Sequence, residues 1–195
     1  MNPEYVKMFQ SLQNDKDYMA VRNKIVKENF DRIKKEILND FNRHPITIEL
    51  EAGVDAPNSS GTLNGITNLY SFIGFDAGTD PIGPIRTLLE RSNFRMVNSS
   101  TLAESTVFFD IPSAADIFTI TPMPWASGRS WAKGIESGIS GLGYYLKIQK
   151  NSRSGIGVQS QKQVRSGARF KNTQYISDLI NRFSNKLKDL EKLNT

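Results

Sequence analysis

A long amphipathic helix near the N-terminus is the sequence feature that most constrains the fold of this chain. Between residues 16 and 42, apolar side chains recur at steps of three to five, while lysine and glutamate fill the opposite face. The apolar positions are Tyr18, Val21, Ile25, Phe30, Ile33, Ile37 and Phe41. This spacing predicts a helix of roughly 40 Å at about 1.5 Å per residue. We expect a sheet or a neighbouring subunit to cover its apolar side, Asp15 or Asp17 to cap its start, and Pro45 to stop it.

A second amphipathic helix is predicted at the C-terminus. We expect Thr173 to cap it and one apolar face to be buried. That face consists of Tyr175, Leu179, Phe183, Leu187 and Leu190. Shorter helices are predicted at residues 3–13, 81–92 and 130–137, and a turn or one-turn helix follows Pro112.

Alternating or β-branched segments predict strands between these helices. The predicted strands are residues 46–50, 68–75, 94–98, 105–111, 118–121 and 144–149. The fold class is therefore α+β, with the long N-terminal and C-terminal helices packed on a mixed, mostly antiparallel sheet and a basic hairpin that projects from it. We interpret residues 1–195 as a single domain with an N-terminal helical region (1–44), an α+β body (45–136), a basic arm (137–172) and a C-terminal helix (173–195).

The stretch from Ser137 to Ser177 contains no acidic residue and carries a formal charge of +7. Its cations are Lys147, Lys150, Arg153, Lys162, Arg165, Arg169 and Lys171. The remaining 18 basic and 20 acidic residues give the rest of the chain a charge of −2. The chain is therefore a near-neutral body with one basic, glycine- and serine-rich arm.

This basic arm admits three interpretations. It is a subunit interface in which glycine-rich strands and arginines contact a neighbour, a surface that contacts nucleic-acid phosphates, or a solvated hairpin. Residues 147–169 contain no aromatic side chain, which argues against stacking on bases. We favour the interface, with these seven cations facing protein or DNA.

The chain lacks the familiar catalytic motifs. The pairs Gly141–Gly143 and Gly155–Gly157 lack the third glycine of a dinucleotide fingerprint, and the sequence contains neither a phosphate-binding loop nor a Gly-x-Ser-x-Gly elbow. The single histidine, His44, lies at a helix end, where a cationic ring would suit the helix dipole. We expect no catalytic residue, no cofactor and no metal site, and therefore no enzyme. A pocket between Trp125 and Trp131 is the alternative enzymatic hypothesis.

Composition constrains the surroundings of the protein. The chain has no cysteine, no apolar run near 18 residues and no secretory signal pattern at Met1 to Glu4. We expect a protein made in the cytoplasm, without membrane contact.

The turn Asn58-Ser-Ser-Gly-Thr-Leu63 resembles the Thr/Ser-Gly-x-Leu turn of neck, tail-completion and tail-terminator proteins of tailed bacteriophages. The order of the other parts is similar: a long first helix, a Phe- and Gly-rich segment at residues 68–75, a proline-containing segment at 80–85 and a final amphipathic helix. The segment from Arg169 to Ile176 also looks like the ends of such virion proteins.

This resemblance implies a non-enzymatic virion protein, made in the host cytoplasm, that forms a homo-oligomeric ring, commonly a hexamer. Its implied partners are the portal or connector and the tail-tube or tail-sheath proteins. DNA that passes through the ring would make non-specific contact with the basic arm.

Overall fold

The computed structural model describes residues 15–63, 67–98, 105–124, 126–137 and 172–192, together with residues 4, 7, 8 and 11. Its helices are α1 (Lys16–Arg43), α2 (Pro45–Glu51), α3 (Leu69–Ile73), α4 (Gly83–Glu90), α5 (Ala114–Thr119), α6 (Trp131–Ser137) and α7 (Ile176–Lys192). Its strands are β1 (Asn93–Asn98), β2 (Ser105–Asp110), β3 (Pro122–Met123) and β4 (Ala126–Ser130). Residues 4, 7, 8 and 11 are helical, and the rest of the predicted first helix lies outside the described residues, as do the predicted strand 144–149 and the basic hairpin.

The first long helix, α1, is confirmed. Asp15 caps it, because its carboxylate accepts hydrogen bonds from the backbone N–H groups of Asp17 and Tyr18 at 2.8 and 3.2 Å. The helix ends at Arg43, before Pro45. The buried face is Val26, Phe30, Ile33, Ile37 and Phe41.

The predicted apolar face of α1 is wrong in its first part. Tyr18, Val21 and Ile25 are 45%, 59% and 51% exposed. Val26 is buried and Ile25 is exposed, so the buried face begins at Val26 and not at Tyr18, and the three exposed residues before it point in a different direction.

The C-terminal helix α7 packs antiparallel to α1. Arg182 contacts Asp40 at 2.7 Å and Lys186 contacts Glu36 at 2.5 Å. The residue that is later in α7 thus contacts the residue that is earlier in α1. At about 1.5 Å per residue, the 28 residues of α1 span roughly 42 Å and the 17 residues of α7 roughly 26 Å. The first part of α1 therefore extends beyond the end of α7, which explains the exposed apolar side chains there.

The five apolar residues predicted to form the core face of α7 are all buried. The helix begins at Ile176, three residues after Thr173, so the prediction that Thr173 caps it is wrong. Phe183 of α7 and Phe30 of α1 meet at 6.5 Å between ring centroids. Phe94 and Phe109 of the β1–β2 hairpin pack on the same Phe30 ring at 5.3 and 5.9 Å between centroids, so this ring joins both long helices and the hairpin.

Residues 46–50 form helix α2 and not the predicted strand. Pro45 occupies the first turn, where its missing N–H costs nothing, and His44 caps the start. Ile46 and Leu50, four residues apart, are both buried on one side of the helix. Alternating β-branched residues suggested a strand, but the cap and the proline decide the conformation.

The predicted strand at residues 68–75 is also wrong, because residues 69–73 form helix α3. The Asn68 side chain accepts a hydrogen bond from the Ser71 N–H at 2.8 Å and caps the helix. Gly74 ends it with a left-handed φ of 89°, a conformation that favours glycine.

The predicted strand at residues 118–121 is the third error of this kind. Helix α5 runs through Thr119, and Ser113 and Asp116 form a capping box at its start. The helix predicted as a single turn after Pro112 is therefore longer than expected and occupies part of the strand position. The Ser-Gly-Arg-Ser sequence before Trp131 belongs to strand β4.

The fold class is α+β, as predicted, and both strand pairings are antiparallel. Phe94 pairs with Phe109 in β1–β2, and Met123 pairs with Ala126 in β3–β4. Within the described residues the strands form two separate two-stranded sheets, so the two long helices pack mainly on each other and not on one mixed sheet.

A buried carboxylate holds the loop that follows α2. Glu49 is 1% exposed. Its Oε1 accepts hydrogen bonds from the Leu69 N–H at 2.6 Å and from Asn58 Nδ2 at 3.1 Å, and its Oε2 accepts one from the Ser60 N–H at 2.8 Å. These donors replace the water that the charged group loses on burial. The turn that carries the phage-like resemblance is thus attached to α2 and α3.

We expect Glu49→Gln to lower the free energy of unfolding by about 1–3 kcal/mol, because the amide NH2 would face a buried N–H donor and leave it unsatisfied. Glu51→Gln is the matched control on the same helix. Glu51 is half-exposed and pairs with Arg86 at 2.8 Å, so its loss should cost about 0–1 kcal/mol. Urea unfolding measures both, and equal losses would contradict the role of Glu49 in holding the loop.

Candidate functional site at the base of the basic segment

The seven predicted site cations all lie outside the described residues. They are Lys147, Lys150, Arg153, Lys162, Arg165, Arg169 and Lys171. Their assignment to an interface or to DNA therefore stays a prediction. The structure describes the chain on either side of them, up to Ser137 and again from Asn172, and this base of the segment is the candidate site.

Glu136 joins the helix before the basic segment to the helix after it. The Ser177 N–H donates to Glu136 Oε1 at 2.6 Å, and the Ser177 hydroxyl donates to Glu136 Oε2 at 2.5 Å. Ser177 is the second residue of α7, where backbone N–H groups have no partner inside the helix and negative charge is favoured. Glu136 at the end of α6 therefore caps α7.

A backbone contact lies beside this cap. The Thr173 N–H donates to the Ile135 carbonyl oxygen at 3.4 Å. Together with the cap, this bond places the residues on both sides of segment 138–171 side by side.

Tyr175 fixes the returning chain in the core. It is 2% exposed, and its hydroxyl lies 2.6 Å from Thr47 Oγ1 of α2. Its ring lies 4.7 Å from that of His44 and 6.1 Å from that of Phe41. Burial raises the pKa of Tyr175, so its hydroxyl stays protonated and available for this hydrogen bond.

His44 caps α2 as a neutral ring, and the expectation of a cationic ring is wrong. Its Nδ1 accepts a hydrogen bond from the Ile46 N–H at 3.3 Å, which requires an unprotonated nitrogen. Burial lowers the pKa of His44, and the nearby Arg182 charge lowers it further, while Asp178 opposes both effects. His44 is thus a capping residue that also packs on Tyr175.

The structure describes one of the two tryptophans of the enzymatic hypothesis. Trp131 is 2% exposed and meets Phe75 edge-on at 6.0 Å, so it is a core residue. Trp125 lies outside the described residues, so the pocket hypothesis stays a prediction.

A cleft of about 300 Å³ lies elsewhere, between β2 and α7. Its lining consists of Val107, Phe108, Phe109, Ile111, Ser184, Leu187 and Lys188 and does not include Trp131.

Among the residues that the structure describes, no three His, Cys, Asp or Glu side chains are grouped as metal ligands would be. None of the described helices is both long and apolar enough to cross a membrane. Comparison of the chain with family models, curated proteins and solved structures found no match.

Sequence reasoning missed Glu136, Ser177 and the Thr47–Tyr175 pair. Glu136 and Ser177 are 41 residues apart, and Thr47 and Tyr175 are 128 residues apart. Local patterns report on contacts within a turn or two of helix, so they carry no signal for these pairs. The acidic Asp178 in the first turn of α7 was the one local sign of where that helix begins.

We expect Glu136→Ala to lower the free energy of unfolding by about 0.5–2 kcal/mol, the usual cost of a lost helix cap. The amide proton of Ser177 should also exchange faster with solvent, because it loses its acceptor. Glu28→Ala, an exposed change on α1, is the control and should change neither quantity. Unchanged exchange at Ser177 in the Glu136 variant would contradict the cap.

A titration of stability tests the neutral state of His44. With its folded pKa below the unfolded value of 6.5, the unfolded chain binds the proton first, so stability is full above pH 6.5 and falls as pH decreases through the folded pKa. His44→Asn keeps a capping acceptor and does not titrate, so it should lose less stability between pH 7.5 and 5.5. Chemical denaturation at several pH values measures the difference. Parallel curves for the two proteins would refute the assignment.

Proposed function

We propose that the protein is a non-enzymatic structural protein of a virion, which forms a ring at the joint between the head and the tail of a bacteriophage. The observation that carries the proposal is the anchored base of the basic segment. Glu136, Ser177, Ile135 and Thr173 hold the chain together where it leaves the body and where it returns.

Anchoring favours a binding role for physical reasons. A segment that is fixed at both ends samples fewer conformations before it binds, so it loses less entropy when it meets a partner. Tyr175 strengthens the anchor, because it ties the returning end to α1 and α2 through buried contacts. This arrangement supports a binding role for the segment.

The charge distribution favours a contact between copies of the chain. The segment from Ser137 to Ser177 carries +7, and the rest of the chain carries −2. The arm of one subunit and the body of the next thus carry opposite formal charge, and a head-to-tail contact between them closes into a ring when its rotation allows. The resemblance of Asn58–Leu63 to neck and tail-completion proteins supports a location for this ring between the portal and the tail tube or sheath.

The experiment compares two triple variants by light scattering at micromolar concentration. Lys147, Lys150 and Arg153 changed to Gln should weaken self-association at least about tenfold, equal to 1.4 kcal/mol. Lys35, Arg43 and Arg91 changed to Gln remove the same charge from exposed positions on the body and should leave it unchanged.

Two results would overturn the proposal. One is a wild-type protein that stays monomeric and does not join purified portal or tail-tube proteins. The other is a monomer whose binding to duplex DNA falls with salt at a slope near −0.9 per phosphate contact and is lost only in the arm variant, which would assign the arm to nucleic acid.

A further inference from the structure

The projecting start of α1 carries an apolar stripe separate from the core. Tyr18, Val21 and Ile25 lie on one side of the helix at spacings of three and four residues and are about half exposed. At roughly 100° per residue, the mean direction of these three side chains lies roughly 130° from that of Val26 and the buried residues that follow it. The core of one molecule covers the helix face that begins at Val26 and leaves the stripe exposed.

The length of α1 explains why nothing else in the described body covers this stripe. Tyr175, at the start of α7, lies against Phe41, and α7 then runs back along α1 for roughly 26 Å. Roughly the first ten residues of α1 therefore lie beyond its end. Single exposed apolar residues are common on protein surfaces, but a contiguous stripe on a projecting helix marks an interaction site.

We propose that this stripe, formed by Tyr18, Val21 and Ile25, pairs antiparallel with the same stripe of a second copy of the chain. A two-fold axis near Val21 places Tyr18 of one helix beside Ile25 of the other. This contact is isologous, so it is distinct from the head-to-tail contact of a ring and does not depend on the basic arm.

The charges beside the stripe are complementary in this arrangement. Asp17 and Lys24 flank the same side of the stripe, seven residues apart. The axis near Val21 brings Asp17 of each helix beside Lys24 of the other. The Lys24 side chain is 75% exposed, and its ion pair with Glu28 of the same helix is long, at 3.9 Å. Lys24 is therefore accessible to a partner. In a parallel pair, Asp17 would lie beside Asp17 and Lys24 beside Lys24, and the two helix dipoles would repel each other.

The size of the stripe sets the expected strength. A stable interface buries about 800 Å² per partner, more than three half-exposed side chains supply. The pairing should therefore be weak, with a dissociation constant on the order of micromolar or above.

Sedimentation equilibrium over a concentration series tests the pairing. Val21→Glu with Ile25→Glu should weaken dimer formation at least about tenfold, because four carboxylates would meet at the axis. Val54→Glu with Ile48→Glu is the matched control, since these residues are 44% and 48% exposed elsewhere on the body. The control should associate like the wild type, and the arm variant should retain the pairing that depends on the stripe.

A disulfide test checks that the contact between the two copies lies near Val21. The chain has no cysteine, so Val21→Cys introduces a single thiol near the proposed axis. Mild oxidation should link two chains, whereas Lys35→Cys, farther along the same helix, should not link.

Three results would overturn the proposal. One is a stripe variant with the association and the cross-linking pattern of the wild type. Another is a stripe variant whose melting temperature falls while its mass stays monomeric, which would show that the chain's own first residues cover the stripe. The third is loss of binding to anionic lipid vesicles in the stripe variant of a monomeric protein, which would assign the stripe to a lipid surface.

Discussion

The antiparallel contact between α1 and α7 is the interaction on which the rest of the structure depends. The two helices come from opposite ends of the described chain, yet Phe30 and Phe183 meet in the core and Asp40 pairs with Arg182. Because Tyr175 lies against α1 at the start of α7, the chain that follows the basic segment must return to a fixed place. The anchored base at Glu136 follows from this contact, since it joins α6 to a helix end that α1 already positions.

The two long helices were predictable from the sequence, because a period of 3.6 residues is repeated over several turns. Of the short helices, α2 and α3 were not. Five to seven residues, as at 46–50 and 69–73, fit either a helical or an alternating pattern. In both places a cap decides the outcome: His44 with Pro45 for α2, and Asn68 with Gly74 for α3. The sequence contained these signals, but the β-branched residues at 46–48 outweighed them in the prediction.

The candidate site also has one part that the sequence predicts and one part that it does not. The charge of the basic segment is a property of composition, so the sequence alone reveals it. The contacts that hold its base are long-range, and nothing in the residues near Glu136 indicates that its carboxylate caps a helix 41 residues further on. Glu49 is similar: its burial depends on donors at Ser60 and Leu69, which the fold brings together. Local chemistry identified the charged element, and only the packing shows how that element is attached.

The apolar pattern of α1 contains more information than a single helical face. Its steps are three and four between Tyr18, Val21 and Ile25, and then five between Ile25 and Phe30. A step of five turns the direction of the side chain by roughly 140°, so the pattern changes face at this point. The exposed stripe lies before the change and the core face after it. The irregular step in this amphipathic helix thus marks a change of face: α7 and the β1–β2 hairpin pack on the face after the step, and the face before it is the one that we propose contacts a second copy of the chain.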